Sequence, residues 1–206
     1  IKDVMCYLRL IINPTDDSAF LRIINTPKRS IGAVTLEKLG GYAQHRGVSL
    51  LTACSELGLG QALGQSKALV NLHEFASWLE DHAREILEST DPVPRIRQLL
   101  SDIAYEDYIR ETAPTPQGAE ARLENINFLL NSVQGMINKA ESEDDKSIET
   151  IIRKLVLIDL LDQQAEADDS DRVQLMTLHA AKGLEFPHVY MIGLEEELLP
   201  HRNSID

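Results

Sequence analysis

Apolar residues recur at steps of three and four along most of the chain, which is the spacing of a single buried face on an amphipathic helix. One such stripe begins after Ser66, and another follows the proline-containing segment 113–116. The two stripes are formed by Leu69, Leu72, Ala76, Leu79, Ala83 and Ile86, and by Ala119, Leu123, Ile126, Leu130, Val133 and Ile137. This pattern predicts two long helices and a mainly α-helical chain.

Prolines and capping residues predict where the other helices begin and end. A helix over residues 2–12 should end at Asn13, because a residue that precedes proline disfavours the helical conformation. The next helix should be capped within residues 16–18 and end before Pro27, and a short one should run from Thr35 to the Gly40-Gly41 pair. Further helix starts are predicted at Ser49, Asp91 and Ser147.

The pattern changes after an acidic connector at residues 166–171. Residues 173–177 predict a strand, and the apolar run 188–192 is typical of a strand buried in a parallel sheet. Two strands alone do not make a stable sheet, so either neighbouring strands lie outside this sequence or both segments pack on helices. Because the sequence begins at Ile1 rather than Met, we expect it to be an excised piece of a longer protein.

Composition narrows the class of protein. The chain has 206 residues, of which 43% are hydrophobic, and this balance excludes a fully disordered chain. No run approaches the roughly 20 apolar residues that a membrane span requires, so a soluble protein without a membrane partner is expected. Cys6 and Cys54 lie far apart and the histidines form no metal-binding motif, which predicts a cytoplasmic protein with no disulfide framework and no metal site.

The net charge of −13 argues against nucleic-acid binding until its distribution is considered. Residues 141–171 carry a local charge of −8, whereas residues 21–50 carry +4. An acidic segment and a small basic surface can therefore coexist on one molecule.

One glycine-rich segment superficially resembles a phosphate-binding loop. Gly58, Gly60 and Gly64 are followed by Gln65, Ser66 and Lys67. A Walker loop needs lysine directly after its last glycine and a hydroxyl residue directly after the lysine. The order here is different and no strand precedes it, so we predict an ordinary turn between helices.

The segment 177–186 carries the strongest chemical signal. Its polar residues follow a predicted strand, at the position where open α/β sheets bind ligands. Thr177 and His179 can donate hydrogen bonds to phosphate oxygens, Lys182 supplies a positive charge, and Gly183 permits a close backbone approach. Glu185 is an acceptor suited to a ribose hydroxyl. The alternative is a turn whose polar side chains are merely solvated, and the pattern alone leaves both open.

Residues 173–200 closely resemble motif V of superfamily 1 DNA helicases of the UvrD/Rep/PcrA type. Residues 1–32 resemble the same family where its chain passes from subdomain 2A into the inserted subdomain 2B. The amino-acid sequences at both ends of the chain are most similar to the Rep branch. The resemblance implies a mainly α-helical 2B subdomain over residues 26–168. Residues 1–25 and 169–206 would be parts of subdomain 2A, an α/β RecA-like (P-loop NTPase) unit that contains motif V.

The function that this resemblance implies is an ATP-driven motor that moves 3′ to 5′ on single-stranded DNA and unwinds duplex in replication or repair. Glu185 would contact the ribose of ATP, with Lys182 and Gly183 in the same motif, and Thr177 and His179 would contact the single strand. The full-length parent would use ATP and Mg²⁺. This chain lacks the Walker motifs and the arginine finger that phosphoryl transfer needs, so alone it is expected to bind no cofactor and hydrolyse no ATP.

A second signal lies in the basic turn at residues 28–35. A glycine turn that leads into a helix presents free N–H groups, and Lys28 and Arg29 add charge that suits a phosphate. The turn resembles the Gly-Ile-Gly hairpin that relatives place against duplex DNA, here through Ile31, Gly32 and Thr35. Ser30 replaces the first glycine, and the alternative is an exposed turn with solvated charges.

Two classes of function therefore remain for the helical part. One is a regulatory module that contacts DNA at the junction of single and double strand. The other is a helical interaction module that docks a replication or repair protein, for which the acidic residues 141–171 are suited. DNA binding should weaken steeply with salt, whereas docking through apolar helix faces should not. A stand-alone enzyme lacks any paired acid/base or nucleophile arrangement.

Overall fold

The computed structural model describes residues 1–64, 66–167, 173, 175–178 and 180–193. Its regular structure over these residues is entirely helical, which confirms a mainly α fold. The chain separates into two compact units, residues 1–165 and 166–206.

The helices of the described residues follow one another with short connections. They are α1 (Lys2–Ile12), α2 (Asp17–Ile23), α3 (Ala33–Arg46), α4 (Leu50–Ser55), α5 (Leu59–Leu63), α6 (Lys67–Leu87), α7 (Pro92–Asp102), α8 (Tyr105–Thr112), α9 (Pro116–Lys139), α10 (Glu143–Lys146) and α11 (Ile148–Ala167).

Side-chain caps fix several of the predicted helix starts. Asp16 accepts a hydrogen bond from the amide of Ala19 at the start of α2, and Ser49 and Ser66 cap α4 and α6 in the same way. Each cap satisfies an amide that has no partner within its own helix. Asp91 precedes α7 as predicted, but its side chain makes no capping bond.

Three helical predictions were incomplete or wrong. Helix α3 continues through the Gly40-Gly41 pair and ends at Gly47, whose φ of +67° is left-handed. Burial of Leu39 and Ala43 on either side outweighs the roughly 1 kcal/mol that each interior glycine costs. The turn predicted over residues 58–64 contains the short helix α5, and neither α8 nor α10 was predicted from the sequence.

The two predicted strands are absent from the described residues of segments 173–177 and 188–192. Val173 and Tyr190 are 99% and 88% exposed. A strand needs a neighbour that pairs with its backbone, and these described residues have none. The apolar character of these segments alone was therefore an insufficient signal.

Helix α6 is central to the core of the first unit, where it packs against α1, α4 and α7. Phe75 on α6 lies edge-on to Phe20 with 6.0 Å between ring centroids, and Trp78 lies edge-on to Tyr7 at 6.2 Å. Phe128 on α9 lies outside this core, and its side chain is 72% exposed. In the part of the chain that the structure describes, no helix is long and apolar enough to span a bilayer.

Candidate nucleic-acid interface

The basic turn between α2 and α3 is closed by the side chain of Asn25. Its Nδ2 donates to the carbonyl oxygen of Ile31 at 2.7 Å. Its Oδ1 accepts from the backbone amides of Arg29 and Ile31, each at 3.3 Å. One amide side chain therefore satisfies three backbone groups and fixes the shape of the turn.

The guanidinium of Arg29 is turned inward, toward the end of α2. Its Nη1 donates to the carbonyl oxygens of Ile23 at 2.9 Å, Ile24 at 3.2 Å and Pro27 at 3.2 Å. Carbonyl groups at a helix C-terminus have no helical partner and carry partial negative charge, which a cation stabilises. The guanidinium also lies 4.7 Å from the centroid of the Phe75 ring.

The hydroxyl of Tyr7 on α1 also forms a hydrogen bond with Arg29. This hydroxyl donates to the carbonyl oxygen of Thr26 at 2.5 Å and accepts from Nη2 of Arg29 at 2.7 Å. Burial raises the pKa of Tyr7 above its ordinary value, and the nearby Arg29 charge opposes that rise. The phenol therefore stays protonated at neutral pH and can make both bonds.

Helix α6 holds the turn from the other side. Nδ2 of Asn71 donates to the carbonyl oxygen of Arg29 at 2.8 Å. Side chains from α1 and α6 thus bond to Arg29, which itself bonds to the end of α2. The turn is fixed relative to three helices.

The basic turn presents only some of its predicted site residues to solvent. Lys28 is exposed, and it forms no ion pair within the described residues. Ile31 is only 4% exposed and packs in the core, and Arg29 is partly buried. In this turn, therefore, the side chain of Lys28 faces solvent, whereas those of Arg29 and Ile31 face the protein interior.

The start of α3 lies open beside Lys28. Gly32 is the N-cap residue and provides no side-chain capping bond, although Thr35 and Leu36 donate to its carbonyl oxygen. A Cβ added at Gly32 would meet no atom within 4 Å. The half-buried Thr35 lies in the first turn of the helix. This geometry gives a ligand room to approach the first amides of α3, which have no partner within the helix.

An open groove of about 490 Å³ lies between the basic turn and α6. Lys28 and Ser30 line it on the side of the turn, and Lys67, Asn71 and Trp78 line it on the side of α6. Ser30 has a φ of +57°, in the left-handed region that glycine adopts most easily. The serine therefore takes the backbone conformation that a glycine would favour at this position.

The candidate nucleotide motif belongs to the second unit and is described by itself. Thr177 accepts the amide of Ala180 on its Oγ1 at 3.2 Å, and its carbonyl oxygen accepts the amide of Ala181 at 3.0 Å. Gly183 has a φ of +86°, which suits glycine. Lys182 and Glu185 are exposed, whereas His179 lies outside the described residues. The turn predicted after Thr177 is present.

Sequence reasoning missed the residues that hold the basic turn in place. Asn25 had a signal, because asparagine often bonds backbone groups within turns. Asn71 is a polar residue among the apolar positions of α6, but nothing local indicated its partner. Nothing in the sequence around Tyr7 indicated its role, because its partner Arg29 lies 22 residues away.

No group of three or more histidine, cysteine, aspartate or glutamate residues is arranged to hold a metal ion among the residues whose positions are described.

Comparison with known proteins gives a consistent result over the whole chain. The sequence profile of the family described as UvrD-like helicase C-terminal domain matches residues 1–206. The chain is 45% identical to the ATP-dependent DNA helicase Rep of Salmonella typhimurium and 43% identical to that of Escherichia coli, in each case over 206 residues. It is 39% identical over 212 residues to the ATP-dependent DNA helicase PcrA of Bacillus subtilis. These matches cover 100% of the chain but only 30%, 30% and 27% of the respective relatives.

Proposed function

The chain belongs to the UvrD-like helicase C-terminal domain family, and we propose that it is part of an ATP-dependent DNA helicase of the Rep type. The observation that carries the proposal is 45% identity to a Rep helicase along the entire chain. The whole protein would move 3′ to 5′ on a single strand and unwind duplex in the cytoplasm, during replication or repair.

Within that motor, residues 26–168 would form subdomain 2B, and residues 1–25 and 169–206 would be parts of 2A. The break between compact units after Ala165 supports the second boundary. The first boundary rests on the family resemblance, since α1 and α2 belong to the same compact unit as the helices that follow.

We propose that the basic turn contacts the backbone of duplex DNA. Lys28 would pair with one phosphate, and the start of α3 would receive another through the amide of its N-cap residue Gly32 and the hydroxyl of Thr35. A cation beside an open helix N-terminus suits a phosphate in both charge and hydrogen bonding. Arg29 and Ile31 would serve this contact indirectly, because their observed partners lie within the protein and hold the turn in shape.

The segment that begins at Thr177 would serve the single strand and the nucleotide. Thr177 and His179 would bond to strand phosphates, and Glu185 would accept a ribose hydroxyl of ATP. Lys182 and Gly183 would lie at the nucleotide side, and the exposed side chains of Lys182 and Glu185 fit such a polar ligand. ATP with Mg²⁺, when bound to the whole helicase, would supply the energy for movement. The Walker residues that bind its phosphates are absent from this sequence.

A second candidate function is the docking of a replication or repair protein. Leu157 and Ile158 are 55% and 51% exposed on α11, within the acidic segment 141–171. An exposed apolar pair among acidic residues suits a partner with a basic rim. This contact should depend on salt less steeply than binding to duplex.

The first experiment measures binding to a duplex with a 3′ single-stranded tail by fluorescence anisotropy over a salt series. It uses the full-length helicase, with Lys28→Ala as the test variant and Lys139→Ala as the control. Lys139 is also exposed and forms no ion pair within the described part of the chain, but it lies at the end of α9, outside the groove. We expect Lys28→Ala to weaken binding several-fold and to reduce the salt slope by about 0.9, the loss of one phosphate contact.

Equal binding by the Lys28→Ala and Lys139→Ala variants would overturn the duplex contact. ATP turnover is a separate test, since the purified 206-residue chain should have none. Turnover that survives repurification would contradict the assignment of this chain to a non-catalytic part of the motor.

A further inference from the structure

We propose that Lys67, the first residue of α6, is a second phosphate-binding residue for duplex DNA. The groove between the basic turn and α6 would then hold the DNA backbone with two cations, Lys28 on one side and Lys67 on the other. The inference rests on the proposed duplex contact and extends it to a helix that the sequence analysis assigned only to the core.

The placement of Lys67 follows from a hydrogen bond one helical turn further along α6. Asn71 bonds to the carbonyl oxygen of Arg29 at 2.8 Å, so this face of α6 lies directly against the basic turn. Residues four apart share a helix face, which places Lys67 beside Asn71 on the same side. Lys28 and Lys67 accordingly line one groove of about 490 Å³.

Both lysines are available to an external anion. Each is exposed, and neither forms an ion pair with another described residue. Many cations elsewhere are already paired, as in Arg9 with Asp16 at 2.7 Å and Arg46 with Glu56 at 2.9 Å. Two unpaired lysines on one groove concentrate positive charge on a chain whose net charge is −13.

Two acidic residues also line the groove, and their positions indicate which end the backbone would occupy. Asp102 is already bonded to Nε2 of His82 at 3.0 Å and to Nε2 of Gln98 at 2.6 Å. Glu74 lies seven residues after Lys67, which is about 10 Å along the helix axis. On α6, the Lys67 end of the groove therefore favours phosphate, and the Glu74 end repels it.

The test compares three single variants of the full-length helicase, Lys67→Ala, Lys28→Ala and the control Lys139→Ala, on a fully paired duplex. Alanine is a good helix former and Lys67 is exposed, so its replacement should leave the fold intact. We expect Lys67→Ala to weaken binding several-fold at low salt and to reduce the salt slope by about 0.9. The Lys28→Ala/Lys67→Ala variant should lose about twice that slope, because separate contacts add.

Removal of the negative charge of Glu74 is a second test, in which duplex binding is expected to tighten rather than weaken. Glu74→Gln keeps the size of an exposed side chain and should tighten duplex binding about two-fold, with a smaller effect once Lys67 is also replaced. An effect of the same size with and without Lys67 would contradict a shared phosphate site.

The outcomes distinguish this inference from the proposed function. If Lys28→Ala weakens binding while Lys67→Ala matches the control, the inference fails and the proposed function stands. If both variants match the control, the proposed duplex contact fails as well. If Lys67→Ala weakens binding to an unpaired oligonucleotide as much as to duplex, the assignment to duplex is overturned.

Discussion

Nη2 of Arg29 donates a 2.7 Å hydrogen bond to the hydroxyl of Tyr7, a residue on another helix. The guanidinium also contacts carbonyl oxygens at the end of α2, the carbonyl oxygen of Pro27 and the ring of Phe75. Arg29 therefore joins α1, α2 and α6 at one point. Its neighbour Lys28 has no such partners among the residues that the structure describes, so two adjacent cations differ in their surroundings.

Replacement of Arg29 should lower the stability of the fold. Arg29→Ala leaves carbonyl oxygens of Ile23 and Ile24 without their charged partner, and we expect the free energy of unfolding to fall by about 2–3 kcal/mol. Arg29→Lys should recover only part of this, because an ammonium does not reproduce the planar fork of donors. Urea denaturation followed by circular dichroism measures the change, with Lys28→Ala expected within about 0.5 kcal/mol of wild type. An Arg29→Ala protein of unchanged stability that binds DNA as poorly as Lys28→Ala would make Arg29 a direct contact instead.

The bond between Tyr7 and Arg29 should appear as an energetic coupling. Tyr7→Phe keeps the ring but removes the hydroxyl that bonds to Thr26 and Arg29, at a cost of about 1–3 kcal/mol. In a double-mutant cycle with Arg29→Ala we expect a coupling of about 0.5–3 kcal/mol, as for residues in one hydrogen-bond network. Additive losses would show that the two side chains act independently.

The buried thiol of Cys54 should make the protein sensitive to alkali. Burial raises the pKa of Cys54 from its ordinary value of 9.0 to about 12. A pKa raised by folding contributes stability that is complete below pH 9 and is lost as the pH rises toward 12. Cys54→Ala should therefore show a smaller loss of unfolding free energy between pH 9 and 11 than wild type, measured by urea denaturation at each pH. Tyrosines with raised pKa values act in the same direction, so Tyr7→Phe provides a comparison.

Ser30→Gly tests the backbone of the basic turn. Ser30 has a φ of +57°, a conformation that costs a side-chain-bearing residue roughly 1 kcal/mol relative to glycine. We expect the glycine variant to have equal or higher stability, by up to about 1 kcal/mol, and Ser30→Val to be less stable, because branched residues avoid this region. Thermal denaturation measures both. Marked destabilisation by glycine would show that the serine hydroxyl has a role of its own.

The sequence predicted features that depend on neighbours along the chain. Ser49 and Ser66 cap their helices within three residues, so a local pattern was sufficient to locate them. The continuation of α3 through Gly40-Gly41 was not predictable in this way, since tertiary burial of Leu39 outweighs the local preference of glycine.

In the candidate site, too, local features were predictable from the sequence and features that depend on distant residues were not. Lys28 and Gly32 were identified from a local turn pattern, and in the structure Lys28 is exposed and Gly32 is the N-cap residue of α3. The inward orientation of Arg29 was not foreseeable, because its partners Tyr7 and Asn71 are 22 and 42 residues away. The groove beside Lys67 was missed for a similar reason, because its two sides come from the turn and from a separate helix.

The bond between Asn71 and the backbone of Arg29 has a mechanical consequence. Helix α6 contains 21 residues and is therefore about 30 Å long. Its first turns are fastened to the basic turn, and its later residues pack against α7. A force applied at Lys28 would therefore reach the start of α6 through the fixed turn, and the packing of α6 against α1, α4 and α7 would distribute it through the core of the first unit.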